Sequence, residues 1–426
     1  MRLSKTGMKM NRMSGVRAIM QDIILTMRSA KDVHFYNLSA GNPVVLPEVS
    51  RLWRKYFRQF SDTDEFDTVL GRYSGSSGDT HFVKSVCDLF NRRYGCGITP
   101  ENVLVTPGSQ QLYFYVINGA AGMCEGKHRK ILFPLSPEYT GYANQGVHDG
   151  MMASFRPRIE KTGPHEFKYH PDFSKLKIDD DIGAIILSRP CNPAGNVISD
   201  EELKKIVSMA KEHNVPVFVD GAYSPPIPGL AFEEMTPAFD ENVIHCFSLS
   251  KAGMPGARIG VAIGSPRYLA PLQAFHETMC LHTSAIGQAV AAYAIDSGEL
   301  EKASEEIIRK YYLEKRDLAL KVIADSFDDS IPYYVHKAQG TLFMWMWFEG
   351  LPVSSQELYE RLKKRHTLVV PGEDFFPGLE DDDWKHKKEC IRVSLTASDE
   401  DLEAGLVQIA EEVKYLYEAQ RVHARA

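Results

Sequence analysis

Residues 243–264 read VIHCFSLSKAGMPGARIGVAIG. Two apolar runs, VIHCF at 243–247 and GVAIG at 260–264, enclose a polar, glycine-rich turn. Each run is short, unbroken and uncharged, as expected of a strand buried on both faces. The turn puts Lys251 at a strand end and Arg258 seven positions later. Lys251 is either a solvated amine on a flexible turn or a reagent held at a strand end, and its surroundings must decide.

Working outward, the same texture repeats. Apolar runs stand at 102–106, 130–135, 183–188 and 215–219, separated by amphipathic segments. This alternation predicts an α/β fold with a largely parallel sheet between helices. The clearest helix is SDEELKKIVSMAKEHN, with Ser199 as N-cap and Leu203, Ile206, Val207 and Ala210 on one face. From about residue 300 the pattern becomes a long charged helix, then YYVHKAQGTLFMWMWF, read as two strands turning at Gln339-Gly340. A helix at 354–365, strands TLVVPG and CIRVSLTA, and a helix from Asp399 complete a smaller α+β domain. The expected organisation is 1–50 packing on the small domain, 51–300 as the large α/β domain and 301–426 as the small one. FMWMWF is read as small-domain core, and the acidic run 380–383 as a solvated loop.

Composition narrows the function. The chain has 426 residues, 25% of them charged, and a formal net charge of −7, which argues against a broad nucleic-acid surface. Seven cysteines without a C-x-x-C pair suggest reduced thiols in a cytoplasmic protein. No long apolar segment suggests a signal peptide or membrane span, and no cluster suggests a metal site.

The polar clusters gather where a parallel sheet binds ligands, beyond the carboxyl ends of its strands. Gly108-Ser109-Gln110 follows the first run, SPEYTGY the second, RPCNPAGN the third, DGAYSPP the fourth and SLSK the fifth. A helix starting at Ser109 and Gln110 offers free N–H groups to a phosphate, and Arg258 a bidentate cation. Ser248 and Ser250 add hydroxyls beside the lysine. Asp220 follows a wholly apolar strand, where a carboxylate is costly unless it meets a partner such as a protonated ring nitrogen. Phosphate donors, that carboxylate and the Lys251 amine form the set that pyridoxal 5′-phosphate (PLP) requires.

With these residues in place, the chain resembles the fold-type I PLP-dependent aminotransferases, and within them the valine–pyruvate group. The likeness is carried by LSAGNP, TPGSQQLYFY, FPLSPEYTGYA, FKYHPDF, SRPCNPAGNVISDEEL, VDGAYSPPIPG, SLSKAGMPGARIG, TLFMWMWF, VPGEDFFPGL and CIRVSLTA. It implies that Lys251 holds PLP covalently and later moves the substrate Cα proton, while Asp220 keeps the pyridine nitrogen protonated. It also implies that Asn192 and Tyr223 bond the ring O3′ and that Tyr139 stacks on the ring. Ser109, Gln110, Ser248, Ser250 and Arg258 would hold the phosphate, and Tyr73 would reach the phosphate of a neighbouring subunit in a homodimer. Arg392 would clamp the substrate carboxylate, helped by Gly41 and Asn192. Three positions depart from the commoner pattern: Ala194 in N-P-A-G-N, the short Lys251-to-Arg258 step, and Tyr139 in place of tryptophan.

The expected substrates are a small or branched apolar amino acid such as valine or alanine, and a 2-oxo acid such as pyruvate or 3-methyl-2-oxobutanoate. One motif arginine accounts for the α-carboxylate, and none is evident for a distal one. The alternatives are a β-eliminating lyase on the same scaffold and, more remotely, a PLP-sensing regulator. The regulator would need an N-terminal DNA-binding module, for which LSAGNP at 38–43 leaves no room. A Rossmann dehydrogenase lacks its G-x-G-x-x-G after the first strand.

Overall fold

The computed structural model describes residues 1–12, 15–29 and 33–423; the last three residues of the helix expected from Asp399 lie outside them. The apolar runs form an eight-stranded sheet, ordered Val103–Thr106, Gly260–Ile263, Val243–Ser248, Val217–Asp220, Ile182–Ser188, Lys127–Phe133, Gly122–Cys124, with Met152–Ser154 also pairing with Lys127–Phe133. Its central strands are parallel and buried throughout or nearly so, which is why they read as unbroken apolar runs. Register sets Asp220 opposite Ser188 on one side and Cys246 on the other. Gly260–Ile263 is antiparallel to both neighbours, so the chain returns directly from Val243–Ser248 and leaves the Lys251 turn at the carboxyl edge of the sheet.

A six-stranded second sheet runs Val370–Pro371, Cys390–Ser394, Phe343–Phe348, Tyr333–His336, Glu166–His170, Arg158–Gly163. The expected hairpin across Gln339-Gly340 forms as an antiparallel pair. The hairpin 158–170 extends this sheet from inside the 51–300 segment by parallel pairing of Val335 with Glu166. Its outer strand has no buried residue, so it carries no apolar run to betray it.

Three local features differ from the reading above. TLVVPG is not one strand: Thr367–Leu368 pairs with Tyr36–Asn37, and Val370–Pro371 with Cys390–Ser394. The long charged helix contains a widened turn, Ser304–Arg309, between Glu299–Ala303 and Lys310–Ser326. That turn carries Arg309, whose guanidinium donates to the carbonyls of Ala231 and Phe232. Helix Pro47–Ser61 runs through position 50, and its Trp53 indole donates to the Ala252 carbonyl at 2.9 Å, beside Lys251.

Helix Asp200–Glu212 starts where its sequence says. Ser199 Oγ accepts from Glu202 N at 3.1 Å, and Ser199 N donates back to Glu202 Oε2 at 2.8 Å. Replacing this hydroxyl removes one acceptor from a helix end. Ser199→Ala is expected to cost about 1 kcal/mol, read as a lower urea midpoint with an unchanged slope.

Candidate active site

Lys251 lies in the short turn Leu249–Ala252, shaped by the hydroxyl of Ser248 accepting from Ser250 N at 3.1 Å. Its Nζ donates to the Gly41 carbonyl at 2.7 Å and stands 5.8 Å from the centre of the Tyr223 ring. Burial lowers the amine to about 8, and the positive charges of Arg392 and Arg258 push the same way. A lysine so placed gives up its proton far more readily than a solvated one, although the ammonium form still predominates at pH 7.

Asp220 ends its strand buried. Its Oδ2 accepts from Tyr142 OH at 2.6 Å and its Oδ1 from Ala222 N at 2.9 Å. Burial raises its pKa, while these donors oppose the rise. Among the described residues no cation forms an ion pair with it, so a protonated nitrogen in the cleft is the partner this carboxylate lacks.

The phosphate-sized cradle is built by omission of side chains. Helix Ser109–Ala120 starts after Gly108 at φ 86°, where a Cβ would stand 2.2 Å from Arg258 Nη2. Gly260 packs under the same helix end, since a Cβ there would meet Ser109 N at 2.4 Å. The first N–H groups of the helix and the Arg258 guanidinium therefore share one opening, suited to a dianion. Arg258 itself adopts φ 55°, and its Nη1 reaches Ser250 Oγ at 3.4 Å and the Pro255 carbonyl at 3.3 Å.

Arg392 crosses from the second sheet. Its Nη1 donates to Asn192 Oδ1 and its Nη2 to the Ser39 carbonyl, each at 3.0 Å. The guanidinium lies 3.9 Å from the centre of Phe343 and 5.3 Å from that of Phe375. Burial lowers it to about 10, its Nε is buried without a partner, and no carboxylate pairs with it among the described residues. A buried guanidinium lacking an anion is a receptor for a carboxylate.

The structure thus brings Lys251, Asp220, Tyr223, Asn192, Gly41 and Arg392 together, with Ser109, Ser250 and Arg258 beside them, while Gln110 is the exposed second residue of helix Ser109–Ala120. The half-buried Tyr139 feels the charges of Arg392, Asp220 and Arg258. Ser248 is buried, and its hydroxyl is committed to the turn, to Ser250 Oγ at 2.9 Å. Tyr73 stands apart, 83% exposed, edge-on to His282. Phe343, first of the FMWMWF run read as core, supports Arg392. Sequence reasoning also missed Glu138, Tyr142 and Ser188, which surround Asp220 from behind. Two of them sat in the quoted SPEYTGY, whose buried acid was the available signal.

An amine lowered toward neutrality, a buried carboxylate awaiting a cation and a cradle for a dianion are what pyridoxal phosphate asks of a protein. They define a PLP-dependent transferase. The chain belongs to the aminotransferase class I and II family, which it matches over residues 33–409, and its cofactor is pyridoxal 5′-phosphate. Valine–pyruvate aminotransferase of Escherichia coli K12 is 35% identical over 415 residues, 97% of this chain and 98% of that protein. The solved valine-pyruvate aminotransferase of Salmonella typhimurium LT2 superposes with a TM-score of 0.85 at 34% identity, covering 94% of this chain and 99% of that one. A solved Psychrobacter arcticum protein gives a TM-score of 0.94 at 33% identity, over 98% and 99% of the two chains.

The electrostatics make a prediction for the cofactor-free protein. Acylation of Lys251, followed by mass spectrometry across a pH series, should show a midpoint of about 8. Arg392→Leu removes a neighbouring cation, which favours the protonated amine, so the midpoint should move upward.

Proposed function

We propose that this aminotransferase moves an amino group between a small or branched apolar amino acid, valine or alanine, and a 2-oxo acid, pyruvate or 3-methyl-2-oxobutanoate. The observation that carries the reading is Arg392, a buried guanidinium with no anion paired to it among the described residues, which acts electrostatically on the Lys251 amine. An α-carboxylate placed on Arg392 brings its own Cα toward Lys251. Aromatic rings, Phe343 and Phe375, rather than a second cation flank that guanidinium, in keeping with apolar substrates. The relatives named valine–pyruvate aminotransferase support the same choice.

The residues divide the work by position. Lys251 would hold the cofactor, and Ser109, Gln110, Ser250 and Arg258 its phosphate, with Ser248 shaping the turn behind them. Asp220 would keep a proton on the ring nitrogen, Asn192 and Tyr223 would serve the ring oxygen, and Tyr139 would cover the ring. Pyridoxal phosphate, when bound, withdraws electrons from the substrate Cα and carries the amino group between the two half-reactions. Lys251 Nζ, lowered by burial and by two arginines, would serve as the base that takes the substrate Cα proton. The donor leaves as its oxo acid before the acceptor enters, giving ping-pong kinetics. We read the protein as a homodimer in which exposed Tyr73 serves the partner's phosphate site. Unpaired cysteines, and no helix among the described residues long and apolar enough to cross a membrane, suit a cytoplasmic location.

A panel of amino donors against pyruvate and 2-oxoglutarate, read by product chromatography, tests the substrate class. Valine and alanine should lead, and an aspartate or glutamate preference would overturn the choice. Lys251→Ala should retain PLP non-covalently and lose transamination by several orders of magnitude, on the order of 10³ or more. Arg392→Ala should raise KM for amino and oxo acids alike by about tenfold or more. An unchanged KM would remove Arg392 from the carboxylate role.

A further inference from the structure

Behind Asp220, away from the opening that receives substrate, lies a second buried carboxylate that the reading above does not use. Glu138 is 1% exposed. Its Oε1 accepts from Ser188 N at 2.8 Å, and its Oε2 lies 2.5 Å from Ser188 Oγ and 3.3 Å from Tyr139 N. Ser188 Oγ is 3.3 Å from Tyr142 OH, and Tyr142 OH donates to Asp220 Oδ2 at 2.6 Å. The four side chains form one continuous file, and Ser188 and Asp220 are register partners on adjacent strands.

Counting protons gives the file a direction. Tyr142 has a single hydroxyl hydrogen, and it goes to Asp220. Ser188 also has one, which can serve Glu138 or Tyr142 but not both. If Glu138 were ionised, Ser188 would turn to it and leave the Tyr142 oxygen without a donor from that side. If Glu138 carries the proton, it donates to Ser188, Ser188 donates to Tyr142, and Tyr142 donates to Asp220. Each link then polarises the next toward the one carboxylate that stays charged.

The surroundings favour the second arrangement. From its own segment Glu138 faces Tyr139 and Tyr142, and from the loop after Ile182–Ser188 it faces Cys191 Sγ at 3.8 Å. Asp220 faces it from the adjoining strand, with Tyr113 and Cys246 beyond. Glu138 N donates to the carbonyl of Phe375, whose turn also carries Glu373 and Asp374. Arg189, next to Ser188, directs its guanidinium to Asp200 instead. No cation pairs with Glu138 among the described residues, and burial raises its carboxyl to about 7, with the Asp220 charge acting in the same direction and the Ser188 and Tyr139 donors opposing. A carboxyl raised to about 7 beside the Asp220 charge is available as the neutral acid at and below neutrality.

We propose that Glu138 is a positioning residue: as a neutral acid it drives a one-way hydrogen-bond chain through Ser188 and Tyr142 onto Asp220, holding Asp220 charged and aimed at the cofactor's ring nitrogen. The chain rests on the reading of Asp220 given above. It makes Tyr142 a donor rather than a competing base, and it ties the strength of the ring-nitrogen contact to a residue that touches neither cofactor nor substrate.

The test uses PLP-loaded protein and two readouts apart from turnover: the pH midpoint of the bound cofactor's visible absorbance change, and the rate of PLP loss on dilution. Tyr142→Phe, Ser188→Ala and Glu138→Ala should each move the midpoint upward by about one pH unit and hasten PLP loss by about tenfold. The shift is upward because a ring proton held less firmly repels the proton on the lysine nitrogen less. Glu138→Gln presents the same donor to Ser188 Oγ and the same acceptor to Ser188 N and gives up only the long 3.3 Å acceptor of Tyr139 N, so it should stay close to the wild-type midpoint and retention. Glu138→Gln behaving like Glu138→Ala would overturn the neutral chain, and so would a lowered Tm in these variants with no movement of the midpoint. Asp220→Asn separates the two levels. A responsive Asp220→Asn beside an unresponsive Tyr142→Phe overturns the chain alone. An Asp220→Asn protein indistinguishable from wild type defeats the ring-nitrogen reading, and the chain with it.

Discussion

A carboxylate buried at the end of an apolar strand, with no cation paired to it among the described residues, is the constraint around which this cleft is built. Ionised Asp220 would be costly to bury if nothing met it. Two neutral donors, Tyr142 OH and Ala222 N, hold it without cancelling its charge. The same logic governs the two cations across the opening. Lys251 meets a backbone carbonyl, and Arg392 meets a carbonyl and an amide, so none of the three charged groups is spent on another. Had Lys251 paired with Asp220, the structure would be more comfortable and the amine inert.

Sheet topology makes that separation possible. Parallel strands send their carboxyl ends to one edge, and the antiparallel return at Gly260–Ile263 keeps the Lys251 turn short. Glycines at 108 and 260 then let Arg258 and the helix start at Ser109 close on the same space, which a single Cβ at either position would fill. The N-terminal segment joins the two sheets across the cleft. Three consecutive carbonyls, of Ser39, Ala40 and Gly41, accept from Arg392, Ser394 and Lys251. A segment without any apolar pattern thereby sets the distance between the carboxylate receptor and the amine.

Most of the large sheet was legible because its strands are buried on both faces, which forces uninterrupted apolar runs at 103–106, 182–188, 217–220, 243–248 and 260–263. The cleft residues were legible because polar side chains at the ends of such strands are hard to explain by packing. The hairpin 158–170 was not, since its outer strand faces water and its inner one alternates over only five residues. FMWMWF was read as core and is buried throughout, but the second role of Phe343 was not legible. A phenylalanine under a guanidinium and one under a leucine look alike in a sequence, and only the register of Phe343–Phe348 with Cys390–Ser394 places it beneath Arg392.

The sequence by itself determined the class of fold, the candidate reagent at Lys251 and the partners it required, because burial, spacing and strand ends are one-dimensional signals. Tertiary structure alone decided which charges stay unpaired, and that the Ser248 hydroxyl serves its own turn. It also joined Glu138 to Asp220, 82 positions apart, through Ser188 and Tyr142. The physical reason is that hydrogen-bond direction and desolvation depend on what stands within a few ångströms in space. That neighbourhood is created when the strands align, and no spacing along the chain records it.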